Sequence, residues 1–269
     1  MISSCICSGK SNFDIKINYN NSIFIEYKGV IIGKCKKCGI LKTITTSNNF
    51  NPKTSFSTFY EDRKEKFRKL FFPIAQNLML FKKSGDVLDV GCSSGILMEI
   101  LNKKGFNVWG IEPNSQAHTA AKKKFGDKIF YGILENFLEY NKKQFDVVIY
   151  NHVLEHIDDI NKEFRLIKRT LKKNGILIIG LPNTSSVIFY LRQMFWELLR
   201  PNEHVWHFSE KYLTKYLNNN NYEILNMIFY NDDRKDYPYI KRIYFKILSS
   251  INRILNTGEA MLTLAKRVN

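Results

Sequence analysis

The segment from residue 84 to residue 182 alternates strand-length apolar runs with helix-length segments, and this feature constrains the fold more than any other. VLDV (87–90), VWGIE (108–112) and FDVVIY (145–150) are each followed by a helical pattern, and ILIIGLP (176–182) ends the series. Strands that alternate with helices of about 10–15 residues are typical of a parallel sheet with helices on both faces. We therefore predict an α/β fold with a doubly wound, mostly parallel sheet.

A glycine-framed turn, VGCSSG, directly follows Asp89 and precedes the first of these helices. In a doubly wound sheet, ligands bind at the carboxyl ends of the strands, where glycine lets the backbone approach a cofactor closely. Gly91 and Gly95 form a G-x-x-x-G spacing, which fits the pyrophosphate pattern G-x-G-x-x-G poorly. Glu112 ends the next strand, at the position from which a carboxylate accepts hydrogen bonds from ribose hydroxyls. The two carboxylates suit a nucleoside without phosphates.

Four motifs, VLDVGCSSG, GIEP, FDVVIYNHVLEHIDD and LKKNGILIIGLPN, occur in this order between residues 85 and 183. Together they resemble the Rossmann-like, class I S-adenosylmethionine-dependent methyltransferases. The resemblance implies a seven-stranded sheet, S-adenosylmethionine as cofactor and methyl transfer to a small acceptor. Two positions depart from the family pattern. Ser93 stands where the middle glycine of the loop is common, and Ile133 stands where an acidic residue that contacts adenine is common.

The resemblance also implies which residues bind the cofactor. Asp89 would order the loop or hold the amino group, Glu112 would hold the ribose hydroxyls, and Asn151 with His152 would close the strand end beside the sulfonium. The implied set is Asp89, Gly91, Gly95, Glu112, Pro113, Leu134, Asn151 and His152, of which Pro113 and Leu134 would flank adenine. Structural alternatives stay open: a carboxylate at a helix N-terminus for Asp89, a turn residue for Glu112, and turn caps for Asn151 and His152.

The string LEHIDD (154–159) combines a histidine with three carboxylates. Glu155, His156, Asp158 and Asp159 are all of residue types that bind metals. Asp158 and Asp159 also stand directly before a helical segment, where N-capping accounts for them. In the resembling enzymes the string is usually structural, and we favour that interpretation.

The segment 183–214 departs from the α/β rhythm and is predicted to contain the acceptor site. It resembles the P-x-H-x-x-x-F-S stretch of sugar and small-molecule methyltransferases, with Ser209 as a helix N-cap. The apolar stretch 187–199 predicts either a lid that keeps water from the methyl group or ordinary core packing. A hydroxyl acceptor benefits from a base of near-neutral pKa. We therefore predict His204 as the base, with His207 second; the alternative is that a histidine only hydrogen-bonds the lid or stacks on Trp206.

Four cysteines lie near the start of the chain. Cys35-Lys-Lys-Cys38-Gly is typical of a zinc knuckle, and Cys5-Ile-Cys7 is one residue short of a second. Several sugar-modifying methyltransferases carry an N-terminal zinc-binding module of this kind, which residues 1–46 resemble. Four thiolates leave no open coordination position, so a bound zinc would be structural. The shortened first pair leaves zinc occupancy open.

These patterns predict three regions: a zinc-ribbon-like module at 1–46, a linker and helix at 47–83, and a cofactor-binding domain at 84–269. No apolar run approaches the ~20 residues of a membrane span, and the first residues lack a signal-peptide pattern. We expect a cytoplasmic enzyme, and the sequence does not indicate its oligomeric state.

The chain carries 41 basic and 25 acidic residues, a net charge of +16. This excess suits either solubility alone or an anionic partner. Residues 239–255 place isoleucines at helical spacing, with Lys241, Arg242, Lys246 and Arg253 elsewhere on the helix. Such a helix either packs on its own domain or makes peripheral contact with an anionic membrane.

Three functions agree with these features. The main expectation is methylation of a sugar-linked or phosphorylated metabolite of surface polysaccharide synthesis, whose negative charge the basic chain would attract. The first alternative is methylation of a lipid or quinone precursor. The second is a non-enzymatic nucleic-acid-binding module, which is disfavoured because the cysteine region has no dense basic and aromatic platform.

Overall fold

The computed structural model describes residues 2–7, 9–20, 27–45, 64–231 and 234–268. Its strands are β1 (Ile2–Cys5), β2 (Gly9–Asn18), β3 (Val30–Cys35), β4 (Leu41–Thr45), β5 (Gly85–Val90), β6 (Phe106–Glu112), β7 (Ile129–Tyr131), β8 (Phe145–Asn151), β9 (Leu171–Pro182), β10 (Trp206–His207), β11 (Tyr222–Tyr230) and β12 (Ala260–Arg267). Its α-helices are α1 (Lys64–Phe81), α2 (Ile96–Lys103), α3 (Ser115–Phe125), α4 (Leu134–Tyr140), α5 (Ile160–Thr170), α6 (Val187–Arg192), α7 (Glu210–Asn219) and α8 (Tyr239–Ile254). Among these described residues, no helix is both long and apolar enough to cross a bilayer.

Seven strands form the main sheet, in the order β11-β12-β9-β8-β5-β6-β7. The pairs from β9 to β7 are parallel, and β12 is antiparallel to both β9 and β11. The predicted α/β fold with a mostly parallel sheet is therefore confirmed. Helix α5 ends at Thr170, because Leu171 already pairs with Phe145 at the start of β9.

Helices cover both faces of this sheet. Neighbouring residues of one strand point to opposite faces. Val87 of β5 and Ile178 of β9 pack with α1, α2 and α3 on one face. Leu88 and Ile179, the next residues along, pack with α4, α5 and α7 on the other. Burial on both faces explains why these strands read as continuous apolar runs.

A second, antiparallel sheet has the order β1-β2-β3-β4-β10. Its last strand is not part of the N-terminal region, since Trp206 pairs with Lys42 and His207 with Leu41. Cys5 also belongs to the same apolar core as α5 and α7. The predicted module at 1–46 thus shares a sheet and a core with the larger domain. Residues 46–63, where the predicted linker begins, lie outside the described ranges.

The predicted lid, 187–199, forms α6 and a short 3₁₀ turn (Gln193–Phe195). Its apolar side chains Ile188, Phe189 and Trp196 pack with Phe245 of α8 and with the second sheet. The indole nitrogen of Trp196 donates a hydrogen bond of 3.0 Å to the buried carboxylate of Glu259. These contacts agree with the core-packing alternative for this segment.

Candidate functional site

The turn after β5 has the backbone geometry that its glycines allow. Gly91 and Gly95 have φ angles of 75° and 79°, in the left-handed region that favours glycine. A Cβ on Gly91 would lie 2.5 Å from a methyl carbon of Val153, so the strand end and the Asn151–His152 loop can meet closely only at a glycine. Gly91 also lines a cavity at this strand end.

Ser93 occupies the position where the resembling family commonly has glycine, and it also adopts a left-handed φ of 50°. Its backbone N–H donates a hydrogen bond of 2.8 Å to Glu112. The second carboxylate oxygen of Glu112 accepts a 2.8 Å bond from the N–H of Asn114, which caps α3. Glu112 therefore holds two turns together, and burial raises its pKa.

A cavity lies at the carboxyl end of β5 and β8. Asp89, Gly91, Asn151 and His152 all line it, so the structure brings together four of the residues that the family resemblance implies. Asp89 is buried at its wall, and burial, followed by the negative charge of Glu112, raises the pKa of Asp89 to about 8. A cationic ligand bound beside Asp89 would lower this pKa, because a nearby positive charge favours the ionised form of a carboxyl group.

Part of the cavity wall was not predicted from the sequence. Phe67, Leu70 and Phe71 of α1 line one side, and Tyr230 and Met261 of β11 and β12 line another. Their sequence signal is no more than an apolar periodicity that also fits core packing, so the chain alone does not reveal them.

Gly180 of β9 is a further cavity residue that the sequence analysis did not identify. A Cβ on it would lie 2.2 Å from the side-chain oxygen of Asn151. Its carbonyl accepts a 2.9 Å hydrogen bond from the N–H of His152. Gly180 therefore sets the position of the Asn151–His152 pair.

His152 has a left-handed backbone conformation, and its imidazole ring is oriented by Glu155. Its φ is 58°, and its side chain is 44% exposed. Nδ1 lies 3.3 Å from Oε1 of Glu155, which is buried. Burial opposes ionisation of Glu155, but the hydrogen bond with His152 and the nearby histidines hold its pKa below the usual range. Left-handed non-glycine residues are concentrated at functional sites.

His204 and His207, the predicted bases, do not line this cavity. His207 pairs with β4, and its Nε2 lies 2.9 Å from Oγ1 of Thr43, which in turn donates to the carbonyl of His204. Burial lowers the pKa of both histidines to about 3. Both are neutral groups packed between the second sheet and the main domain, because His207 lies on β10, which completes that sheet, and His204 precedes this strand by two residues.

The LEHIDD string separates into two parts. Asp159 caps α5 by accepting a 2.8 Å bond from the N–H of Lys162, as the structural interpretation predicts. Glu155, His156 and His204 lie together instead, with ligand atoms within 4.8 Å of one another. Asp158 contributes its carbonyl, not its carboxylate, to a contact with Trp206.

The two residues predicted to flank adenine differ in exposure. Pro113 is exposed after β6, whereas Leu134 is buried in the core under α4. Ile133 is 51% exposed beside it. Of the two predicted residues, only Pro113 is exposed to solvent, so the structure leaves the contact predicted for Leu134 to its exposed neighbour in the chain, Ile133.

The four N-terminal cysteines converge at one point. The Sγ–Sγ distances are 3.3 Å for Cys5–Cys7, 3.6 Å for Cys5–Cys38 and 3.8 Å for Cys7–Cys35. Four thiolates around zinc at about 2.3 Å would lie about 3.8 Å apart. The shortened C-x-C pair fits because both residues lie at one tight turn between β1 and β2. The cluster could therefore hold a structural zinc ion.

Comparison with known proteins agrees with this geometry. A family model described as a methyltransferase domain matches residues 60–226, more than half of the chain. The ubiquinone biosynthesis O-methyltransferase of Pelagibacter ubique is 35% identical over 104 residues, which cover 38% of this chain and 43% of that protein. The mitochondrial ubiquinone biosynthesis O-methyltransferase of Homo sapiens is 30% identical over 132 residues, or 45% and 36% of the two chains. The matches thus span less than half the length of these curated relatives.

Two solved structures share the fold. A SAM-dependent methyltransferase from Archaeoglobus fulgidus superposes with a TM-score of 0.57 at 19% identity, covering 78% of this chain and all of the other. The plantazolicin methyltransferase BamL, solved with SAH, gives a TM-score of 0.54 at 16% identity and covers 79% of this chain and 90% of its own. The chain belongs to the methyltransferase-domain family and has the class I fold of S-adenosylmethionine-dependent enzymes.

Proposed function

We propose that this protein transfers a methyl group from S-adenosylmethionine to a hydroxyl group of a small acceptor. The observation that carries the proposal is the cavity at the ends of β5 and β8, where Asp89, Gly91 and His152 meet. S-adenosylmethionine supplies a methyl group on a positively charged sulfur. Asp89 would bind its ammonium group, and Glu112, whose oxygens each keep an accepting position, would bind its ribose hydroxyls.

We assign the general base to His152 and not to His204 or His207. Glu155 faces Nδ1 of His152, which places the proton on Nδ1 and leaves Nε2 free to accept one. His152 would take the proton of the acceptor hydroxyl on Nε2, so that the oxygen can bond to the methyl carbon as the carbon–sulfur bond breaks. Glu155 would stabilise the imidazolium that forms. The base lies on the cavity wall, whereas His204 and His207 are buried behind it.

For the acceptor, we propose a quinone precursor. The curated relatives are named ubiquinone biosynthesis O-methyltransferases, and the aromatic residues of α1 give the cavity an apolar side. These observations favour the quinone-precursor alternative over the sugar-linked or phosphorylated acceptor expected from the sequence. The family match likewise favours an enzyme over a nucleic-acid-binding module. Cytoplasmic location stays a prediction.

The cysteine cluster has a separate role in this proposal. Bound zinc would join β1 to the turn between β3 and β4 and would support the second sheet without touching the cavity. The predicted regions 1–46 and 84–269 would then act as one folded unit with a zinc-stabilised edge.

Calorimetry with S-adenosylmethionine (SAM) and with its demethylated product S-adenosylhomocysteine (SAH) tests the cofactor part of the proposal. Transfer of a labelled methyl group to a catechol-type quinone precursor or to a nucleotide sugar tests the acceptor part. We expect both nucleosides to bind and the quinone precursor to be methylated. Absence of SAH binding by the folded protein would refute the activity. Labelling of the nucleotide sugar alone would refute the acceptor.

A further inference from the structure

Helix α8 presents an apolar face to solvent. Tyr239, Ile240 and Ile254 are 73%, 82% and 82% exposed. The face is completed by further exposed side chains at helical spacing, so that the α8 apolar face consists of Tyr239, Ile240, Ile243, Tyr244, Ile247, Ile251 and Ile254. The sequence left open whether this stripe packs on its own domain. The structure turns it outward.

The opposite side of α8 fixes the helix to the protein. Phe245 and Leu248 are buried with α6 and the second sheet. The side chain of Asn252 accepts a 2.9 Å bond from the N–H of Val187 and donates a 2.7 Å bond to Asn231. These contacts anchor α8 to the protein with its apolar face directed outward.

Cations line one edge of the α8 apolar face. At 100° per residue, Arg242, Lys246 and Arg253 lie along this edge. Lys241 lies instead on the side of Phe245 and Leu248, with its Nζ 4.3 Å from the centroid of the Tyr237 ring. No acidic residue occurs between positions 237 and 258. Among the described residues, no ion pair occupies Arg242, Lys246 or Arg253.

We propose that the α8 apolar face docks on an anionic phospholipid membrane. An amphipathic helix binds in the plane of the lipid headgroups when isoleucine and tyrosine side chains enter the interface and flanking cations meet anionic lipids. Tyr190, Leu191 and Phe195 of the 187–199 segment, which packs against α8, are also exposed. A second copy of this chain suits the face less well, since a two-fold contact would bring the same cations together.

Docking has a consequence for the cavity. Asn231, the partner of Asn252, directly follows Tyr230, which lines the cavity. A membrane-bound α8 is thus joined through one hydrogen bond to the strand end that forms the cavity wall. An apolar acceptor dissolved in the membrane would be close to the enzyme. Lipid binding itself does not depend on the proposed acceptor, so the two proposals fail separately.

Vesicle sedimentation of the full chain tests the docking. Phosphatidylcholine vesicles are compared with vesicles that also contain phosphatidylglycerol, at low and high salt. One variant removes apolar contacts (Ile240→Ser/Ile247→Ser/Ile254→Ser), and another removes charge (Arg242→Gln/Lys246→Gln/Arg253→Gln). Matched controls change exposed residues elsewhere: Ile15→Ser/Leu80→Ser/Tyr140→Ser for the first and Lys103→Gln/Lys122→Gln/Lys123→Gln for the second.

We expect salt-sensitive binding that requires phosphatidylglycerol, with each α8 variant weakening it by about tenfold or more and the controls unchanged. Thermal melting checks that all variants fold. Equal binding to both vesicle types, or equal loss in the α8 variants and the controls, would overturn the proposal. Light scattering identifies the other occupant: a dimer that Ile240→Ser/Ile247→Ser/Ile254→Ser dissociates, without vesicle binding, would assign the face to a second copy.

Discussion

Nδ1 of His152 lies 3.3 Å from Oε1 of the buried Glu155, so a carboxylate orients a histidine that lines the cavity. His204 lies farther back, with its Nε2 3.9 Å from the same oxygen. The arrangement places one exposed and one buried histidine on a single carboxylate. Their chemical roles should differ accordingly.

Replacement of the exposed histidine tests the assigned base. We expect His152→Gln to lower kcat by about 10²–10⁴-fold, the usual contribution of a general base, with little change in the affinity for SAH. Glu155→Gln should lower kcat less, because glutamine still contacts the ring but does not stabilise its charge. Steady-state methyl transfer and SAH calorimetry measure the two quantities.

His204→Gln is the comparison for this experiment. We expect it to lower the melting temperature, because it alters a side chain that is 4% exposed, and to leave the turnover of the folded fraction near that of the wild type. A large loss of kcat in His204→Gln with unchanged melting, together with an active His152→Gln, would return the base to the residue predicted from the sequence.

The raised pKa of Asp89 makes cofactor affinity depend on pH. In the ligand-free protein this pKa is about 8, so the carboxyl is mostly protonated at neutral pH. A ligand ammonium favours the ionised form, and binding then releases a proton. Affinity for SAH should rise by up to about tenfold per pH unit as the pH approaches 8, and it should level off above that value.

Asp89→Asn separates this effect from the titration of other groups. The variant should bind SAH weakly at pH 8 and should lose the rise in affinity between pH 6 and pH 8. Calorimetry in buffers of different ionisation enthalpy also counts the released protons. If the wild type and Asp89→Asn have parallel pH profiles, Asp89 does not bind the ammonium group.

Gly91 and Gly105 form a matched pair for the cofactor turn. Both have a positive φ, of 75° and 91°, so alanine costs each about 1–2 kcal/mol of stability. A Cβ on Gly91 also meets Val153 at 2.5 Å, whereas nothing lies within 4 Å of one on Gly105. Gly91→Ala should weaken SAH binding by about tenfold or more, which is 1.4 kcal/mol, and Gly105→Ala should not.

A second substitution tests the steric cause. Val153→Ala in the Gly91→Ala background removes the methyl group that a Cβ would meet, and it should restore part of the affinity. Equal SAH affinity in Gly91→Ala and Gly105→Ala would show that the turn does not contact the cofactor. Melting curves measure the loss of stability that a positive φ causes in both Gly91→Ala and Gly105→Ala.

The cysteine cluster predicts one zinc ion per chain. Cys38→Ser should remove the metal and lower the melting temperature, because binding free energy for a structural zinc is folding free energy. Metal analysis of purified protein and melting with a chelator measure both effects. Cys92→Ser, at the buried thiol of the cofactor turn, should keep its zinc. Zinc retained in Cys38→Ser would contradict the site.

The parallel part of the main sheet follows from the sequence alone. The alternation of apolar strands and amphipathic helices between residues 84 and 182 can be read from neighbouring residues, because the spacing of apolar residues indicates whether one or both faces of an element are buried. Gly91 and Glu112 were found for the same reason, since each directly follows or ends a strand. The converging cysteines were found because thiols are rare and chemically distinctive.

The elements beside that sheet are positioned by long-range contacts that the sequence pattern does not show. Chain order does not show that Trp206 and His207 complete a sheet begun near residue 2, so it does not show that the histidines predicted at the acceptor site lie between that sheet and the main domain. The apolar spacing of α1 and α8 is the same in both helices, yet Phe67 faces the cavity and Ile240 faces solvent. Periodicity defines a face of a helix, but the long-range contacts of the folded chain determine what that face meets.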